Sequence, residues 1–324
     1  MCTAITFKTE NFYFGRTLDN DFSYLEEVTV TPRNFVFRFA KYGELKNHYA
    51  MIGTAYIPDG YPLYYDAVNE KGLCMAGLNF VSYAFYGEEK PDKINLSQFE
   101  FIPYILGKCA SVAEAVKELE NINLIGLAYG KDLPPAQLHW LIADKERVVT
   151  VEFLKEGLKI YDNAVGVLTN NPPFDMQVFN LNNYINLTPA EPENSFSSEL
   201  RLENYSKGLG AVGLPGDLSS QSRFVRAAFV KLNSVCGKTE EESVSQFFHI
   251  LGAVEQPRGA CAVGKGYEIT VYTSCCNADK GIYYYTTYAS RRINAVDMFK
   301  EDLNAAELVR YAHINKESIN FQNI

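Results

Sequence analysis

Cysteine at position 2 is the residue in this chain whose type and place could do chemistry most directly. It follows Met1 in Met1-Cys2-Thr3-Ala4-Ile5, and it is small enough for an initiator methionine to be clipped from it. Removal would leave a thiol and a free α-amine on one residue. An α-amine titrates near ~7.7–8.0, so part of it is an uncharged base at neutral pH. A thiol beside its own base is an activated nucleophile. The competing reading is an incidental surface cysteine.

A thiol more often takes its base from histidine, and there are only four: His48, His139, His249 and His313. His139 precedes Trp140 in an apolar strand, and His249 lies in the apolar helical run Phe247–Leu251. Both read as core or semi-buried residues. His48 and His313 sit in polar sequence with no partner pattern. That shortage favours the α-amine as base. Two ionisable residues follow Cys2 closely, in Phe14-Gly15-Arg16-Thr17-Leu18-Asp19. An arginine near a thiol stabilises the thiolate, and a carboxylate can orient an amine. A plain ion pair between Arg16 and Asp19 is the alternative.

The elements that must position these groups can be read from periodicity. Thr3–Lys8 and Phe12–Leu18 are strands joined by the turn Thr9-Glu10-Asn11, so a hairpin begins at Cys2 and returns beside it. Further strands are expected over 26–40, 49–56, Val68–Phe80 (interrupted by the turn Asn69–Gly72), Gln137–Ala143, Val148–Leu154 and Leu158–Tyr161. Helices are expected over Phe99–Lys108, after the Ser111/Glu114 capping box, over Asp175–Asn186 and Ser222–Val235, and after the Thr239/Glu242 box. The tail gives strands over Glu268–Cys275, Ile282–Tyr288 and Ile293–Met298, then a short helix near Ala305–Tyr311. Strands and helices arrive in runs, which favours packed antiparallel sheets with helices outside over a doubly wound parallel sheet. No linker or repeat divides the chain, so residues 1–324 are expected to form one domain. The polar, aperiodic stretch around 187–210 reads as a long loop, an interface arm or a lid.

Composition narrows the function further. Net charge is −9 with no Lys/Arg-rich run, which argues against a nucleic-acid partner. No apolar run reaches the roughly 18–20 residues of a membrane helix, and the first residues alternate rather than forming a secretory signal core. The expected location is the cytoplasm. The seven cysteines are irregularly spaced without C-x-x-C, so neither a disulfide framework nor a zinc site is expected. Cys275 and Cys276 are read as facing opposite sides of one strand. No metal-binding spacing and no phosphate loop is present, and no cofactor is expected.

Taken together, several segments resemble the choloylglycine hydrolases, the bile salt hydrolases and their penicillin V acylase relatives. They are Met1-Cys2-Thr3, Phe14–Asp19, Asn69–Leu73 running into Ala76–Phe80, Leu138-His139-Trp140, Val167–Asn170, Pro215-Gly216-Asp217 with Ser222–Arg226, and Tyr283–Tyr285. They occur in family order along nearly the whole chain. The resemblance implies an N-terminal-nucleophile hydrolase fold: α+β, a four-layer α-β-β-α sandwich of two antiparallel sheets between helical layers. It implies Cys2 as nucleophile, Arg16 beside the thiol, Asp19 orienting the amine, Asn79 and Asn170 at the oxyanion, and Arg223 as a second active-site arginine. Asn170 rather than its neighbour Asn171 completes the Leu-Thr-Asn pattern.

The penicillin V branch characteristically carries Tyr where this chain has Asn79, so the expected substrate is a glycine- or taurine-conjugated bile acid. Tyr24, Tyr65 and Phe80 are candidate substrate-binding aromatics for the steroid. The Gly208-Leu209-Gly210 segment points to glycine conjugates. The loop before it resembles the arm through which family members form homotetramers. Penicillin V or another acyl amide is the alternative substrate. A catalytically silent binder of steroids or acyl amides is the alternative from another class.

Overall fold

The computed structural model of the chain describes residues 1–323. The hairpin at the N-terminus forms as expected, from Cys2–Lys8 and Phe12–Asn20, closed where Thr9 N donates to Asn11 O (3.0 Å). Its register sets Cys2 opposite Leu18 and Ala4 opposite Arg16. Side chains alternate across a strand. Cys2, Ala4, Arg16 and Leu18 therefore share one face, while Thr3, Thr17 and Asp19 share the other.

The hairpin belongs to a six-stranded antiparallel sheet with spatial order Val167–Leu168, Cys2–Lys8, Phe12–Asn20, Ile269–Asn277, Ile282–Thr287, Ser290–Asp297. A wider antiparallel sheet of eight strands runs Gly157–Asp162, Val148–Leu154, Leu138–Ala143, Cys74–Asn79, Leu63–Asn69, Met51–Tyr56, Glu27–Thr31, Val309–Ala312. One apolar core lies between the two sheets and extends under the helices Ser220–Asn233 and Glu240–Gly252. A second joins the far face of the wide sheet to the helices Phe101–Lys108 and Val112–Leu119. This is the expected α-β-β-α order. The inner strand Ile269–Asn277 is buried at every position because both its faces are covered. Its Cys275 and Cys276 are both buried and neither is in a disulfide.

The Thr239/Glu242 capping box is complete. The Ser111 box is half-formed: Ser111 Oγ accepts from Glu114 N (3.2 Å), but the Glu114 carboxylate accepts from Ala110 N instead of Ser111 N. Other expectations are corrected. Residues 305–311 do not form a helix; Val309–Ala312 is a strand paired with Glu27–Thr31, so an edge partner overrides the helix-forming run Ala305–Leu308. The stretch 26–40 breaks after Thr31 into a separate short hairpin, Phe37–Phe39 with Gly43–Leu45. The helix expected to reach Asn186 ends at Asn180 and continues as a 3₁₀ turn, Leu181–Tyr184. The parallel pair Ile94–Ser97 with Ile122–Ile125 was not anticipated.

Candidate active site

Cys2 is buried at the start of its strand, and its backbone nitrogen donates to Asn170 Oδ1 (2.9 Å). Asn170 follows Val167–Leu168, the short strand paired with Ala4 and Ile5, and that pairing brings position 170 beside position 2. The same Oδ1 accepts from Arg223 Nη2 (2.7 Å), and Asn170 Nδ2 donates to the carbonyl of Asn79 (2.8 Å). Arg223, on the helix over the N-terminal sheet, also donates through Nη1 to Cys2 O (2.5 Å) and Thr3 Oγ1 (2.7 Å). Asn171 instead donates to Val81 O.

Arg16 points away from Arg223, on the face it shares with Cys2, toward the wide sheet. Its Nη1 donates to the carbonyls of Gly77 (2.5 Å) and Tyr65 (3.2 Å), and its Nε to Thr17 O (3.1 Å). Its Nη2 is buried without a partner among the described residues. Tyr65 is an extra residue in its strand: Tyr64 pairs with Ala55 and Asp66 with Thr54, leaving Tyr65 as a bulge. A bulge withdraws one residue from the ladder and re-aims it. Here it frees a carbonyl for Arg16 and turns the Tyr65 side chain into the cavity described next.

Cys2, Arg16, Asp19 and Asn79 line a cavity of about 340 Å³. Tyr24, Tyr65, Tyr129, Ile102, Leu138 and the segment Leu133–Ala136 form much of its wall. The Asn79 side chain is exposed toward this space. A larger cavity of about 580 Å³, under the helix Glu240–Gly252, contains none of the six expected active-site residues.

Asp19 lies near this centre, held by two hydroxyls and an amide while Met1 is attached. Its carboxylate accepts from Thr270 Oγ1 (2.6 Å), Thr17 Oγ1 (3.2 Å) and Gln256 Nε2 (3.5 Å), not from Cys2 N. The Cys2 nitrogen is taken instead by Asn170 Oδ1. With Met1 attached, the chain ammonium donates to the main-chain oxygen of Asp19 (2.8 Å) and pairs with the Glu268 carboxylate.

Charge is dense here. Burial drives the Asp19 carboxyl up, against the pull of Arg223, the chain ammonium, Thr270 and Arg16. Burial lowers the Arg223 guanidinium, with Asp19 and Cys2 opposing. Burial also works against the charge of Arg16, but Cys2, Tyr272, Asp66 and Asp19 outweigh it, and the net direction is up.

Two of the three candidate aromatics, Tyr24 and Tyr65, reach the cavity. Phe80 does not: it is fully buried, stacked on His139 at 4.2 Å between centroids. Strand alternation turns it away from its neighbour Asn79. His139 is buried as expected, between Glu152 Oε1 (3.0 Å) and Thr169 O (2.9 Å). His249 is exposed, not semi-buried, and His48 is buried against Phe37 despite its polar sequence neighbours. Sequence reading missed Gln256, Glu268, Thr270, Tyr129 and Leu133–Ala136. Of these, only the Pro134-Pro135 pair carried a local signal, and it marks a stiff loop, not a wall.

The fold and this constellation define a class. The family model for linear amide C-N hydrolases, choloylglycine hydrolase family, matches residues 2–311, and the chain belongs to that family. Its relatives include the bile salt hydrolase/transferase of Lactiplantibacillus plantarum, 55% identical over 312 residues and covering 96% of each chain. A mutant conjugated bile acid hydrolase from Clostridium perfringens superposes with a TM-score of 0.92 at 38% identity, covering 100% of both chains. Penicillin V acylase from Agrobacterium tumefaciens, with a TM-score of 0.75 at 21% identity over 98% of this chain and 95% of its own, shares the fold.

Proposed function

We propose that the chain is a bile salt hydrolase, cleaving the amide bond of glycine- or taurine-conjugated bile acids with Cys2 as nucleophile once Met1 is removed. The observation that carries this reading is the joining of Cys2, Asn170 and Arg223 in one hydrogen-bonded group at the base of an apolar-walled cavity. The L. plantarum and C. perfringens relatives, named for bile salts or conjugated bile acids, supply the substrate class.

The chemistry follows from the partners. The freed α-amine of Cys2 takes the thiol proton, directly or through water. The sulfur attacks the amide carbonyl, and Asn79, with the second Nδ2 hydrogen of Asn170, donates to the developing oxyanion. The amine passes its proton to the leaving nitrogen, releasing glycine or taurine and leaving a thioester. Water, deprotonated by the same amine, cleaves the thioester to the free bile acid. Arg16 stabilises the thiolate, and Arg223 fixes Asn170 and the Cys2 carbonyl. Asp19 acts on the amine through the chain terminus, where Met1 now sits. The rigid steroid lies against Tyr24, Tyr65 and the Leu133–Ala136 segment. Gly208-Leu209-Gly210 supports a preference for glycine conjugates.

The purified, correctly processed protein should release glycine from glycocholate, and Cys2→Ala should abolish release while leaving the circular dichroism spectrum and melting temperature unchanged. Turnover retained by Cys2→Ala would overturn the mechanism. No release from a freed Cys2 N-terminus would move the substrate to penicillin V or another acyl amide. The arm at 187–210 exposes Phe196 and Tyr205 at 80% and 87%, which supports assembly as a homotetramer. Light scattering should return four times the chain mass; a monomer mass would remove that part of the reading.

A further inference from the structure

Asp66 sits on the strand Leu63–Asn69, fully buried between the two sheets. Its Oδ1 accepts from Tyr272 Oη (2.5 Å), and its Oδ2 from Tyr283 Oη (2.7 Å) and Ser274 Oγ (3.1 Å). Three hydroxyls placed to donate to the carboxylate favour its anion, against the burial that favours the neutral acid. No cation touches it. The nearby cation is Arg16, tied to the same spot from three directions: its backbone N donates to Ser274 Oγ (3.1 Å), its Nη1 to the carbonyl of Tyr65 next to Asp66, and the same Nη1 to Gly77 O. Arg16 in turn faces Cys2 in the cavity.

We propose that Asp66 is a positioning residue of the reaction: through Ser274 it holds the Arg16 backbone, beside the Tyr65 carbonyl that holds the guanidinium, and its negative charge limits how much of the Arg16 charge acts on the Cys2 sulfur. This rests on Cys2 being the nucleophile. The balance of charge gives the reason. A thiol that must form a thiolate and then serve as leaving group from a thioester is best kept at intermediate acidity. An unopposed buried arginine would over-stabilise the thiolate and weaken its attack. The titratable and charged groups that bear on Asp66 are Arg16 from the hairpin, Tyr272 and Cys276 from Ile269–Asn277, Tyr283 from Ile282–Thr287, and Cys74 from Cys74–Asn79. Arg16 is the one cation among them. Burial drives the Asp66 carboxyl up; Arg16 and the three hydroxyls oppose that, and the net direction is up.

The test is the pH dependence of Cys2 alkylation by iodoacetamide, read by peptide mass in the processed protein, for the parent and Asp66→Asn. The asparagine keeps the shape and removes the charge. The alkylation midpoint should fall by about one pH unit, in the direction a lost anion requires, and the acid limb of kcat/KM for glycocholate should move with it. Because Asp66→Asn can fail to fold, the pair Tyr272→Phe and Tyr283→Phe is a second probe. It removes two donors from the anion, favours the neutral acid and should move the midpoint the same way. An unchanged midpoint in a folded variant overturns the proposal, since a purely structural role would lower the melting temperature and leave Cys2 titration in place. Alkylation does not depend on turnover, so a parent that fails to hydrolyse glycocholate counts against the bile salt reading and not against this one.

Discussion

At the scale of single residues, Asn170 and Asn79 make an unequal pair. Asn79 offers its side chain to the cavity; as the oxyanion donor proposed above, its replacement with Ala should cost roughly 10²–10³ in kcat. Asn170 also holds the Cys2 backbone nitrogen and accepts from Arg223 Nη2. Asn170→Ala should therefore lose more kcat than Asn79→Ala and, unlike it, lower the melting temperature, because a buried guanidinium is left short of an acceptor at a cost of about 1–3 kcal/mol. Steady-state kinetics with thermal melts on both variants measure the difference. Equal losses with equal stability would mean that Asn170 is a donor and nothing more.

At the scale of elements, the hairpin controls the site. It was legible because two alternating runs flank a polar turn, and its register alone predicts which residues share the face of Cys2. The same parity, applied to Asn79-Phe80, already argues against Phe80 as a substrate contact. What the sequence could not disclose is long-range. The Tyr65 bulge depends on the partner strand, the cavity wall at Leu133–Ala136 is set by loop closure, and the strand Val309–Ala312 exists because Glu27–Thr31 awaits a partner. One element-scale constraint is severe. A Cβ on Gly15 would collide with the carbonyl oxygen of Ser274 in the neighbouring strand. Gly15→Ala should push the hairpin off Ile269–Asn277, costing several kcal/mol, on the order of 3 or more. Denaturant unfolding, or the soluble yield if the variant does not fold, measures this. A variant with parental stability would show that the strand shifts freely.

At the scale of the molecule, stability carries a pH signature outside the site. His313 stacks on Tyr285 (4.6 Å between centroids) and against Tyr272, and its Nε2 is buried without a partner among the described residues. Burial lowers it from 6.5 to about 4. The folded state thus binds this proton less readily than the unfolded chain. The contribution is complete above about pH 6.5, erodes as pH falls, and is lost in full below about 4, a change of about 3 kcal/mol at most. His313→Phe keeps the stacking and removes the proton site, so its urea midpoint should fall less than the parent's between pH 7 and pH 4. Parallel curves would place the sensitivity elsewhere.

The strand Val309–Ala312 has one more effect. A bare sheet edge is a template on which another chain can continue the ladder. The Glu27–Thr31 strand, with Val28 and Val30 in the core, would offer such a template. The covering strand is only four residues long, is mostly exposed, and carries Arg310 paired with Glu27. It ends the wide sheet with a short, charged border that gives a neighbouring chain little to extend, so the tail works as a guard against strand-to-strand aggregation in a protein whose core is built from two large sheets.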